Sequence, residues 1–158
     1  MKKTGIWTVV GCCMVALAVQ AHGQSRKSGL WEITSSMSMS GMPNMPAMGS
    51  HTTQVCVTQA MIDKYGGPYS NPQQGDCQVT NISLPPAGMT ANLTCSGKMS
   101  MTGTVQTTFV DANTTKTTVT MNMSMGNGQT MNMTTQSTAA YKGPDCGSVK
   151  PLALPASK

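Results

Sequence analysis

Charge and aromatic rings are both scarce in this chain: Asp, Glu, Lys and Arg make up 9% of it and Phe, Trp and Tyr 4%. Nucleic-acid recognition needs a basic patch, usually interleaved with stacking aromatics. Beyond the N-terminal stretch that holds Lys2, Lys3 and Trp7, the basic residues Arg26, Lys27, Lys64, Lys98, Lys116, Lys142, Lys150 and Lys158 are spread along the chain, among only Trp31, Tyr65, Tyr69, Phe109 and Tyr141. No nucleic-acid partner is expected. The acids Glu32, Asp63, Asp76, Asp111 and Asp145 include no pair spaced for general acid and base roles. Of the two histidines, His22 falls at the expected mature N-terminus, and His51 has no acidic or cysteine neighbour to complete a nucleophile or a metal site. Gly66-Gly67 runs into Pro68 and makes no phosphate-cradling loop. The expectation is a protein that is not an enzyme and carries no cofactor.

Long apolar runs are missing as well, since no stretch reaches the roughly 18 apolar residues of a membrane-spanning helix. The longest, Ile6 to Val19, follows Lys2 and Lys3 and leads into Val19-Gln20-Ala21, which is the pattern of a secretory signal peptide over residues 1–21. Val9-Val10-Gly11-Cys12 loosely resembles a lipobox with Cys12 as a lipid anchor. The apolar run before Cys12 is short for that role, and the residues after it stay apolar. Cleavage after Ala21 leaves 137 residues with eight basic and five acidic side chains, a net charge of +3. That length suits one domain, 22–150, with a modest core and a disordered tail at 151–158. The expected location is periplasmic or secreted, with no transmembrane segment after cleavage.

Threonine, serine and methionine are plentiful, and they alternate. In LWEITSSMSM, Trp31, Ile33, Met37 and Met39 share one face, while Glu32, Thr34, Ser36 and Ser38 share the other. The pattern recurs through Met99, Met101, Val105 and Phe109, and through Val119, Met121, Met123 and Met125. Strands with one apolar and one polar face belong to antiparallel sheets. The fold class is therefore all-β, a curved antiparallel sheet or small barrel-like domain with one short helix. That helix is TQAMIDKY, 58–65, capped by Thr58 and stopped by Gly66-Gly67. Asn-x-Ser/Thr triplets at Asn81, Asn92, Asn113, Asn122 and Asn132 read as background in a composition rich in Asn and Thr.

Four cysteines lie beyond the signal peptide: Cys56, Cys77, Cys95 and Cys146. An even count in an exported chain predicts disulfides, and the absence of a C-x-x-C pair argues against zinc. Placing Cys77 opposite Cys95 sets Val79 against Leu93, Asn81 against Ala91 and Ser83 against Met89, a hairpin closing on Pro85-Pro86-Ala87. Exclusion leaves Cys56 to Cys146. A second hairpin is expected with Met125 opposite Met131 and Met123 opposite Met133, joined by a bulged three-residue connection over Asn127-Gly128-Gln129.

The segment MSMSGMPNMPAMGSH, 37–51, is the one candidate for metal chemistry. Pro43 and Pro46 favour polyproline II, whose three-residue turn places Met42, Met45 and Met48 along one edge. Bent inward, alone or together with His51, those thioethers would select Cu(I) or Ag(I); left extended, they offer an apolar edge to a partner. The strand methionines fit better as core, where methionine fills gaps that aromatics leave.

GLWE at 29–32, the methionine and proline segment, QVCVT at 54–58, DC at 76–77, LTCSG at 93–97, the MTGT turn at 101–104 and GPDCG at 143–147 occur in a characteristic order. In these features the chain resembles the exported proteobacterial domain-of-unknown-function family 3617. The resemblance implies a periplasmic or envelope location and an all-β domain, and it carries over no catalytic residue. The reading that follows is a non-enzymatic β domain binding an unknown apolar ligand or envelope protein, with a Met-rich Cu(I)/Ag(I) binder as the alternative.

Overall fold

The computed structural model describes residues 26–40, 48–68, 76–96, 100–124 and 130–151. Seven strands form a single antiparallel sheet: β1 (Gly29–Ser40), β2 (Met48–Val57), β3 (Asp76–Ser83), β4 (Gly88–Ser96), β5 (Met101–Asp111), β6 (Thr114–Ser124) and β7 (Thr130–Gly143). Their spatial order is β2-β1-β7-β6-β5-β4-β3. The sheet is open, with β2 and β3 as its edges, so the barrel-like alternative does not apply. The signal-peptide expectation lies outside the described residues, as does the expected tail apart from Pro151, whose backbone bridges to Cys56.

Consecutive strands β2 and β3 stand at opposite edges, so the chain must cross the sheet between them. The helix α1 (Gln59–Tyr65) lies on that path. Thr58 is its N-cap, with the hydroxyl accepting from the Met61 N–H at 3.3 Å. Gly66 ends it in the left-handed region at φ 74°, donating its N–H to the Ile62 carbonyl at 2.7 Å. The helix turns Met61, Ile62 and Tyr65 inward. Met61 and Ile62 belong to a cluster with Trp31, Ile33, Val55, Val57 and Ala139, and Tyr65 to one with Met89, Ala91, Val105 and Phe109. Burying side chains of this size stabilises by about 1.5–3 kcal/mol each. Trp31 is wholly buried, donates Nε1–H to the Lys27 carbonyl at 2.9 Å and meets Tyr141 edge to face at 5.5 Å. The opposite sheet face is polar, and at one end Glu32 pairs with Lys142 at 2.7 Å.

Both disulfides form as expected, Cys77–Cys95 between β3 and β4 and Cys56–Cys146 between β2 and the segment after β7. Three details of register differ from expectation. Cys77 opposes Cys95 and Val79 opposes Leu93, but beyond Thr80 and Asn92 the pairing slips, so that Ser83 opposes Thr90 rather than Met89. Asn81 and Ile82 together face Ala91, and Asn81 takes a positive φ of 52°, which Asn tolerates better than most residues. This bulge reverses the alternation and packs Ile82, in place of Asn81, against the core.

Between β6 and β7, Met123 opposes Met131 and Met121 opposes Met133, with pairing up to Ser124 and Thr130. The register is thus shifted by two residues from the expected one; the expected three-residue connection and the partner of Met125 lie outside the described residues. A shift of two keeps every side chain on its face, so apolar patterning could not tell the registers apart. Finally, MTGT at 101–104 is no turn but the start of β5.

Candidate functional site

The register lays the α1-bearing face out as rows running across the strands. Nearest the helix, Trp31 opposes Tyr141, and the next row is Ile33, Ala139, Thr115 and Phe109. A hydroxyl row follows: Ser35, Ser137, Thr117 and Thr107, with Met89 at its end. Its members satisfy one another, Ser35 Oγ lying 2.9 Å from Ser137 Oγ and Thr107 Oγ1 2.9 Å from Thr117 Oγ1. The next row is Met37, Thr135, Val119, Val105 and Ala91. Beyond it come Met39, Met133, Met121, Gly103, Leu93 and Val79, and last Met131, Met123, Met101, Cys95 and Cys77.

The face is therefore divided by chemistry. Its helix-covered end is built from Trp31, Ile33, Val55, Val57, Ile62, Tyr65 and Phe109, all buried. Its other end carries Met39, Met101, Met121, Met123, Met131 and Met133. Met121 and Met131 are buried there, while Met39, Met101, Met123 and Met133 are only half-buried. Met121 joins Leu93 and Cys95 in a small cluster against which Met101, Met133, Val79 and Val119 pack. This end presents a polarizable, rotamerically adaptable apolar surface.

The residues singled out in the Met-rich segment are not brought together in the same way. Met42 and Met45 lie outside the described residues. Met48 opens β2, where its backbone pairs with Met37. His51 is exposed on the edge strand opposite Ser35, several residues along the sheet from Met39. Among the described residues no three His, Cys, Asp or Glu side chains gather as metal ligands, and the four described cysteines are all occupied in disulfides.

One residue escaped the sequence reading. Arg26, counted only as one of the dispersed basic residues, places its guanidinium 3.6 Å over the Phe109 ring, and its stem runs beneath Gly67. The side chain as a whole is half-buried, yet Nε and Nη1 are closed off from solvent without a hydrogen-bond partner. Burial pushes its pKa below the ordinary arginine value. Its stem and guanidinium extend the cover that α1 gives this end of the sheet. The hydroxyl row was legible in principle, since Ser35 stands in phase with Ile33 and Met37, but which hydroxyls meet depends on strand order.

A family model described as "Protein of unknown function (DUF3617)" matches residues 26–146, and the chain belongs to that family. No curated protein and no solved structure matches it. Among the described residues no helix is long and apolar enough to cross a membrane.

Proposed function

We propose that this DUF3617 member is an exported, non-enzymatic binding protein of the periplasm or cell exterior, whose methionine-lined sheet end receives the apolar part of a ligand or an envelope protein. The division of the face carries this reading. Aromatic and branched residues build the end that α1 buries, and methionine is concentrated where Met39, Met101, Met123 and Met133 stay half-buried. Adaptable methionine surfaces accommodate apolar groups of varied shape, and contiguous exposed apolar surface marks interaction sites. The N-terminal Lys2-Lys3 with its apolar run supports export, and two disulfides fit an oxidising compartment.

A polarity-sensitive naphthylamine dye, titrated into the mature disulfide-bonded protein, tests the reading. The expected result is a saturable rise in fluorescence that is lost in a Met39→Gln/Met123→Gln variant and kept in a Ser38→Gln/Asn122→Gln variant, whose changes lie on the other face. No saturable binding by the native protein, or equal binding by both variants, overturns it.

A further inference from the structure

For an apolar sheet face, β-branched and aromatic residues are the favoured choices. Methionine gives up that preference and loses more rotamer freedom on burial. The covered end of this sheet follows the rule with Trp31, Ile33, Val55, Val57 and Phe109, and the other end departs from it at six positions on four strands. What a thioether offers that valine or leucine does not is a soft sulfur donor. We infer that Met101, Met121 and Met123, from β5 and β6 and bordered by Met133 of β7, form a binding site for one soft monovalent cation, Cu(I) or Ag(I).

The register supplies the geometry. Met101 stands directly opposite Met123, and Met121 directly opposite Met133. Opposed side chains on one face have Cβ atoms about 5 Å apart, and alternate residues along a strand are separated by about 6.8 Å. Met101, Met121 and Met123 stand at three corners of one such rectangle between β5 and β6 and, each with three rotatable bonds, can turn their sulfurs toward one point above it, while Met133 borders the site from β7. The fourth corner of the pattern is free of obstruction, because Gly103, opposite Met121, has no side chain. The Met121 Cγ lies 3.1 Å from where a Cβ on Gly103 would stand, so Met121 occupies the space on the Met101 side. Met101, Met123 and Met133 are half-buried and reachable from solvent, whereas Met121, beside them on the same face, is buried.

The donor set also fixes the class of ion. Neutral thioethers favour Cu(I) and Ag(I) over zinc, Cu(II) or hard cations, which need imidazole, thiolate or oxygen donors. The cysteine sulfurs of the same row, Cys95 and Cys77, lie beyond Met101 and are bonded to each other. The site is independent of Met42, Met45, Met48 and His51. It also goes beyond the apolar-binding reading, because leucine at these positions keeps the apolar surface and removes the sulfur.

The mature protein, disulfides intact, is titrated with Ag(I) in chloride-free buffer, and with Cu(I) anaerobically against a colorimetric Cu(I) chelator. Three proteins are compared: the native chain, a Met101→Leu/Met123→Leu/Met133→Leu variant, and a Met42→Leu/Met45→Leu/Met48→Leu variant. Methionine to leucine roughly conserves volume, and circular dichroism with the naphthylamine dye reports whether fold and apolar surface survive. One equivalent retained by the native protein and by the 42/45/48 variant, but lost from the 101/123/133 variant, is the expected result. Failure of the native protein to retain the ion overturns the site, as does retention by the 101/123/133 variant or loss from the 42/45/48 variant. Should the 101/123/133 variant not fold, methyl resonances of the native protein decide. Shifts on adding Ag(I) at Met101, Met121 and Met123 support the site, and shifts confined to other methionines overturn it.

Discussion

Met101 stands directly opposite Cys95, and Cys95 is bonded through its sulfur to Cys77 on the edge strand β3. The disulfide thus closes the last cross-strand row of the sheet, with the methionines of β5, β6 and β7 filling the rest. It spans 18 residues, whereas Cys56–Cys146 spans 90. In the chain-entropy account the shorter loop contributes about 3 kcal/mol and the longer about 4.6 kcal/mol. Urea melts of a Cys77→Ser/Cys95→Ser and a Cys56→Ser/Cys146→Ser protein should show both losses, the second larger. The reverse order would mean that native-state contacts, not loop length, dominate.

The two faces of β6 should respond oppositely to charge. Met121 is buried in the Leu93 and Cys95 cluster, and its neighbour Asn122 is exposed on the other face. Met121→Asp should destabilise by several kcal/mol, because a carboxylate enters an apolar layer without a partner. Asn122→Asp should change stability by less than about 0.5 kcal/mol. Chemical denaturation of the two variants separates these outcomes.

The helix is expected to depend on packing more than on its cap. Thr58→Ala removes the hydroxyl that accepts from the Met61 N–H and should cost about 1 kcal/mol. Met61→Ala opens a cavity against Trp31 and Val57 and should cost about 2–5 kcal/mol. Thermal melts rank the two; a larger effect at Thr58 would show the helix to be held locally instead of by the sheet.

Arg26 covers Phe109 with a guanidinium whose Nε and Nη1 have no partner. Replacing a charge that is shielded at two of its three nitrogens by an apolar side chain of similar length is expected to be neutral or stabilising. Arg26→Met should therefore hold or raise the urea midpoint. Arg26→Ala should lower it, since the stem that covers the ring is lost. Equal losses in both variants would assign the contribution to the charge over the ring.

Much of this architecture is legible in local patterns. The alternation Trp31, Ile33, Met37, Met39 fixed the buried face of β1, because a side-chain period of two leaves only two choices. Thr58 and Gly66 bounded α1 through cap chemistry that involves only near neighbours. Opposing Cys77 to Cys95 brought Val79 to Leu93 as well, and the structure keeps both pairs. The slip at Asn81, the two-residue offset between β6 and β7 and the strand conformation of MTGT were not legible. Each leaves the apolar pattern nearly intact while changing backbone pairing, which the alternation does not encode.

The sequence by itself thus determined which side of each strand is apolar, where the helix starts and stops, and which cysteines pair, since these follow from periodicity, capping and the elimination of alternatives. Only the tertiary structure decided the order β2-β1-β7-β6-β5-β4-β3, and with it the meeting of Met101, Met121, Met123 and Met133, the hydroxyl row and the seat of Arg26 on Phe109. These contacts join residues far apart in the chain, and their formation depends on which strands become neighbours. That choice is made by the combined burial of Trp31, Phe109 and the inner face of α1, a property of the assembled sheet that no single segment carries.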